Sequence, residues 1–179
     1  MPSILSHAVA SAGIKSFFRF RSSSVKLLAL CAFCAMIPDA DAIGFWMGIP
    51  YGNTFGHRGF THSFCFAMLL AILIVLLFYP KEKIFSRNGL LYLLCFFIAG
   101  SSHPVLDAMT SGGLGVAFFS PFSNARYFFP FRPIKVSPIG FRNFFSAWGW
   151  AVIKSELIVI WIPTFALIAA NGYFYKKKL

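Results

Sequence analysis

Ser63 to Tyr79 reads SFCFAMLLAILIVLLFY, an uncharged apolar run closed by Pro80 and Lys81. A helix needs about 20 such residues to cross the hydrocarbon of a bilayer, and this run is the first of two clear candidates. The next run, GLLYLLCFFIAGSSHPVLDA from Gly89 to Ala108, opens after Arg87 and Asn88 and has that length. A third, Trp148 to Tyr175, carries Lys154 and Glu156 near its start and ends in Lys176, Lys177 and Lys178. Before them, Ser3 to Phe20 and Val25 to Ile37 are each short for a span. Arg19, Arg21 and the serines Ser22 to Ser24 between them predict the turn of a helical hairpin. Gly112 to Phe145 is broken by Pro121, Pro130, Pro133 and Pro138 and rich in Phe, which predicts an irregular interfacial segment able to cover a site.

The expected fold is therefore all-α: one membrane-embedded helical bundle over 1–179. Its parts are a helical hairpin (1–38), a site loop (39–62), membrane helices at 63–79, 89–108 and 148–175, and the interfacial segment at 112–145. Composition agrees. The 179 residues are 58% hydrophobic with 24 Phe, and the mean hydropathy of +0.73 exceeds what a soluble core of this size requires. Met1 to Gly13 has no charged stretch ahead of its apolar part, so the N-terminus is expected to stay on the protein.

The net charge of +11 is compatible with nucleic-acid binding, but no nucleic-acid motif accompanies it. The basic residues cluster between apolar segments and at the carboxyl end, where Lys and Arg set topology and meet anionic head groups. Cys31, Cys34, Cys65 and Cys95 all lie in apolar stretches. The C-x-x-C at Cys31 lacks the βαβ context of a redox motif and reads as packing thiols.

Every histidine, and Asp39, Asp41 and Asp107, lie at or beside the ends of the apolar segments. Ionisable groups at membrane depth are costly and face a cavity, a partner or a metal. Followed through the predicted spans, His7, Asp39, Asp41, His57, His62, His103 and Asp107 all reach one face. Lys15, Arg19, Arg21, Lys26, Lys81, Lys83, Arg87 and the terminal lysines fall on the other. The positive-inside rule makes that second face cytoplasmic and puts the polar site at the outer, periplasmic surface.

Three motifs build this constellation. In Ser102-His103-Pro104-Val105-Leu106-Asp107, His and Asp at i and i+4 share a helical face and can reach one ion. In Gly56-His57-Arg58-Gly59-Phe60-Thr61-His62-Ser63, two histidines flank a turn, Thr61 is placed to cap the following helix, and the fork of Arg58 suits a phosphate. In Pro38-Asp39-Ala40-Asp41, a non-helical stretch would let both carboxylates share a cation. Mixed imidazole and carboxylate donors suit zinc, manganese or iron(II) over magnesium or calcium; zinc is the first choice, with room for two or more ions. No Ser or Cys nucleophile stands beside a free His, which favours attack by metal-activated water. Glu156 is an eighth candidate ligand, but its neighbour Lys154 makes a charge partner the preferred reading.

The order His7, PDAD (Pro38 to Asp41), HRGFTHS (His57 to Ser63) and SHPVLDAMTSGG (Ser102 to Gly113) resembles the bacterial YdjM-like family of inner-membrane metal-dependent hydrolases, also described as LexA-binding. The resemblance covers roughly the first two thirds of the chain. It implies a multi-helix inner-membrane protein whose polar site comprises His7, Asp39, Asp41, His57, His62, His103 and Asp107; the LexA association maps onto no residue. The leading expectation is hydrolysis of a lipid or lipid-linked phosphoester. Asp39, His103, Asp107 and Arg58 are the catalytic candidates, and Arg126, Arg132, Lys135 and Arg142 are nearby anion contacts. A metal-dependent amide or ester hydrolase is the nearest alternative. A metal transporter or sensor would need donors distributed across the membrane, and the middles of the two clearest spans carry none.

Overall fold

A computed structural model describes residues 1–18, 20, 24–137 and 145–176. Arg19, Arg21, Ser22 and Ser23 of the expected hairpin turn, Pro138 and Arg142 of the interfacial segment, and Lys177 and Lys178 lie outside the described residues.

The described residues form helices and contain no extended strand; the nearest approach is two isolated bridges, Thr110 with Ile134 and Val116 with Tyr127. Helix α1 spans Ile4–Phe17 and α2 spans Val25–Met36. A 3-10 turn, Ile37–Ala42, carries α2 on into the short α3, Ile43–Trp46. Phe60–His62 form another 3-10 turn ahead of α4, Phe64–Phe78, and α5 covers Arg87–Ala108. Helix α6, Ala147–Glu156, continues through a π-helical turn, Leu157–Trp161, into α7, Ile162–Lys176.

Serine starts most of these helices, because its hydroxyl accepts one of the otherwise orphaned amide hydrogens of the first turn. Ser24 caps α2 at Leu27 N, Ser63 caps α4 at Phe66 N, Ser86 caps α5 at Gly89 N and Ser146 caps α6 at Gly149 N. The helix of residues 64–78 is thus capped by Ser63, and Thr61 has another task, described below. His62 stands just before this helix instead of in its first turn.

Three helices are long and apolar enough to cross a membrane: Val25–Trp46, Arg87–Ala108 and Ala147–Phe174. The first corrects the expectation that the second hairpin arm stops short of a span at Ile37. Pro38 sits at the start of the 3-10 turn, where its missing N–H costs nothing, so the helical path continues for two further turns. Residues 39–46, expected in a loop, are helical in consequence. Helix α4, at 15 residues, is shorter than a standard span.

The core lies between α2, α4 and α5, where Leu27, Leu30, Cys31 and Cys34 meet Leu70, Ala71, Ile74 and Val75 and, from α5, Cys95, Phe96 and Ala99. The cysteines are free and buried here, with Cys31 and Cys95 sulfurs 3.6 Å apart, consistent with packing thiols. Outward-facing Leu69, Leu73, Leu76 and Leu77 leave α4 an apolar outer face suited to lipid. Helix α1 packs against α2 and α5 on one side and α7 on the other. At one end of the bundle Lys26 Nζ donates to Phe78 O beside the 81–87 loop. At the other end meet the start of α1, the end of α2, the start of α4 and the end of α5, and there the polar residues gather.

Candidate metal centre

Helix periodicity puts His103 and Asp107 on one face of α5, both fully buried. Opposite them the 3-10 turn after α2 presents Asp39, and the turn before α4 presents His62. One donor atom from each of Asp39, His62, His103 and Asp107 lies within 4.8 Å of every other. Around a tetrahedral ion with bonds of about 2.0–2.1 Å to its donors, neighbouring donors stand about 3.3 Å apart. The separations here bracket that value. His103 Nε2 is 3.0 Å from His62 Nε2 and 3.3 Å from Asp39 Oδ1, while His62 Nε2 is 3.5 Å from Asp107 Oδ2 and 3.6 Å from Asp39 Oδ1.

Both imidazoles are oriented from behind. His103 Nδ1–H donates to Ala35 O at 2.7 Å, and His62 Nδ1 lies 3.0 Å from Asp41 Oδ2. Each contact fixes a tautomer with Nε2 facing the cluster, the way outer carboxylates and carbonyls set metal-binding histidines. Burial opposes a charge on His62, but the carboxylates of Asp107, Asp39 and Asp41 outweigh it and raise its pKa well above the usual imidazole value. Both oxygens of Asp39 and of Asp107 are buried without a hydrogen-bond partner. Buried carboxylates are costly; the ion pair of Arg58 with Asp107 and a proton on His62 offset that only in part, and a divalent cation would satisfy the oxygens that accept no hydrogen bond. The donor set therefore fits a metal ion.

Asp39 and Asp41 do not share one point. They stand at opposite edges of His62, and Asp41 belongs to a second group with His57 and His62. Its Oδ1 is 2.6 Å from His57 Nδ1, and its Oδ2 accepts from Thr61 Oγ1 at 2.5 Å and from Arg58 N at 3.3 Å. Thr61 thus clasps Asp41. His7, from α1, is fully buried and stacks on His103 with ring centroids 3.8 Å apart. Its Nε2 is 3.7 Å from Asp107 Oδ1, and neither ring nitrogen has a hydrogen-bond partner.

Arg58 occupies a different place from an open phosphate fork. It is 1% exposed and adopts φ +62°, a left-handed conformation unusual for a residue with a side chain. Its Nε lies 2.9 Å from Asp107 Oδ2 as an ion pair, NH1 donates to Gly112 O and NH2 to Thr110 Oγ1. The next residue must be small: a Cβ on Gly59 would come within 2.2 Å of Thr54 O. Arg58 O also accepts from Ala117 N, which seats the 112–118 stretch on the site.

A cavity of about 300 Å³ opens beside the cluster, lined by Met1, Phe45, Tyr51, His57, Arg58, Gly113, Val136 and Ser137. Tyr51 stacks on His57 at 5.3 Å, and burial pushes its phenol pKa up. Arg126 donates to the carbonyls of His57, Tyr51 and Asn53, so it clasps the loop under this cavity. Arg132 lies over the Phe128 ring and Lys135 over Trp148. Glu156 is paired with neither Lys154, which sits over Trp150, nor the cluster; it accepts hydrogen bonds from Ser3 and Ser6.

Arg126, expected as an anion contact, instead holds backbone carbonyls of the loop. Tyr51 and Thr110 escaped the sequence reading: Thr110 stands within the SHPVLDAMTSGG motif, a signal that was available, whereas Tyr51 acts through long-range contacts with no local signature.

The family model described as YdjM inner membrane protein matches residues 1–178. Inner membrane protein YbcI of Escherichia coli (strain K12) is 37% identical over 169 residues, covering 94% of this chain and 95% of the relative. No solved structure matches.

Proposed function

Because the chain belongs to the YdjM inner membrane protein family, we propose that it is an inner-membrane, metal-dependent hydrolase acting on a lipid or lipid-linked phosphoester. The observation that carries this reading is the convergence of Asp39, His62, His103 and Asp107, all buried, with the carboxylate oxygens of Asp39 and Asp107 accepting no hydrogen bond. These four would hold the ion; zinc suits two imidazoles and two carboxylates, and manganese or iron(II) are the alternatives. Such an ion supplies an acidified water and a clamp on a phosphoryl oxygen.

The chain's other residues then have defined tasks. Asp41 receives His62 Nδ1–H and keeps Nε2 turned inward. Arg58 balances the charge of Asp107 and holds its carboxylate in place. His57, held by Asp41 and stacked on Tyr51, forms a wall of the cavity where a head group would sit. A second ion between Asp41, His57 and His62 Nδ1 is the alternative use of the outer group. The placement of the site at the ends of membrane helices supports a lipid substrate, since head groups reach it without extraction.

Purified protein in lipid nanodiscs should release phosphate or a phosphorylated head group only with added zinc or manganese, and His103→Ala should abolish the release. Full activity in Asp39→Ala and His103→Ala would overturn the assignment. Cleavage of carbonyl esters or amides in place of phosphoesters would keep the metal chemistry and replace the substrate class.

A further inference from the structure

Glu156 is 2% exposed, yet it lies far along the chain from the cluster and in neither ligand group. Its carboxylate is turned onto the first turn of α1: Ser3 N donates to Oε1 at 2.5 Å, and Ser3 Oγ and Ser6 Oγ donate to Oε2 at 2.5 and 2.7 Å. Ser3 is the N-cap of α1, but its own side chain makes no capping bond. The cap is supplied by Glu156, an anion at the positive end of a helix dipole. The π-helical turn that follows Glu156 brings Trp161 Nε1 onto Ser6 Oγ at 2.7 Å, which locks the same turn a second time. π-Turns of this kind recur where a helix must re-aim side chains for function.

The residue next to Ser6 is His7. Its ring has no hydrogen bond to hold it, only stacking on His103 and the approach to Asp107. The position of this imidazole therefore depends on where the start of α1 stands, and Glu156 sets that. We propose that Glu156 is a positioning residue of the metal centre, acting through α1 to place His7 against Asp107 and His103. The proposal rests on the metal reading above.

The test is a double-mutant cycle on zinc affinity, measured by chelator competition on the purified full-length protein, with the cobalt(II) absorption spectrum as a second readout. Glu156→Ala is expected to weaken zinc binding by about 10-fold or more, as loss of an outer partner does elsewhere, and to change the cobalt spectrum. His7→Ala should do likewise, and the double variant should bind as His7→Ala alone does, because Glu156 has nothing left to position. Glu156→Gln can keep the serine contacts by hydroxyl rotation and should bind within a few-fold of the original. If Glu156→Ala cannot be recovered folded, Ser6→Ala removes one link of the same clasp and enters the same cycle. Unchanged affinity in Glu156→Ala or in His7→Ala, or effects that multiply in the double variant, would overturn the proposal while leaving the metal reading intact. A wild-type protein that takes up neither zinc nor cobalt would instead sink the metal reading.

Discussion

Asp41 touches His57, His62, Thr61 and the backbone of Arg58, but it stands behind the four inner donors. Asp41→Ala should therefore weaken zinc binding by about 10- to 100-fold without abolishing it, whereas His103→Ala or Asp39→Ala should remove stoichiometric metal; elemental analysis and chelator competition distinguish the two. The pH dependence follows from His62. The carboxylates around it raise its pKa, and the ion needs the bare Nε2, so a proton competes with the metal there. Zinc uptake should release a proton, measurable by calorimetry in buffers of different ionisation enthalpy, and affinity should fall as pH falls. The i, i+4 pair His103 and Asp107 was legible because helical spacing alone dictates a shared face. The separation of Asp39 from Asp41 was not, since it depends on a 3-10 turn instead of an extended stretch. Nor was the inward turn of Arg58, which needs a left-handed backbone that only the surrounding loop enforces.

Helix α1 is lined with small residues where it meets α7, and at Gly13 a Cβ would come within 2.8 Å of Thr164 Cγ2. Gly13→Leu should separate the two helices and lower the melting temperature in detergent, with Thr164→Ala recovering part of the loss; a melt unchanged by Gly13→Leu would contradict this packing. Removing Arg58 leaves Asp107 buried without its cation, so Arg58→Ala should cost about 3–5 kcal/mol in the metal-free protein, read by the same melts. Apolar runs announced the helices of residues 64–78, 87–108 and 147–174, because burying backbone in hydrocarbon leaves few alternatives. The contact of α1 with α7 left no such trace. Ser16 and Asn171 meet at 3.1 Å across 155 positions of sequence, and pairing at that separation is set by the packed bundle instead of any local pattern.

The whole molecule places Lys26 and the 81–87 loop at one end and the cluster at the other, and the positive-inside rule predicts that the cluster end is periplasmic. A cysteine introduced at Lys83 should resist an impermeant maleimide in intact cells, and one at Phe122, which is exposed at the opposite end, should react; the reverse pattern would invert the orientation. The fifteen residues of α4 have a further consequence. At 1.5 Å per residue they span about 22 Å, short of the roughly 30 Å of hydrocarbon in an average bilayer. Bilayers meet so short a segment by thinning locally, by snorkelling of flanking residues or by oligomerisation of the protein. A dimple beside His62 would lower neighbouring lipids toward the donors and bring their glycerol linkages, more than their outermost groups, level with the chemistry.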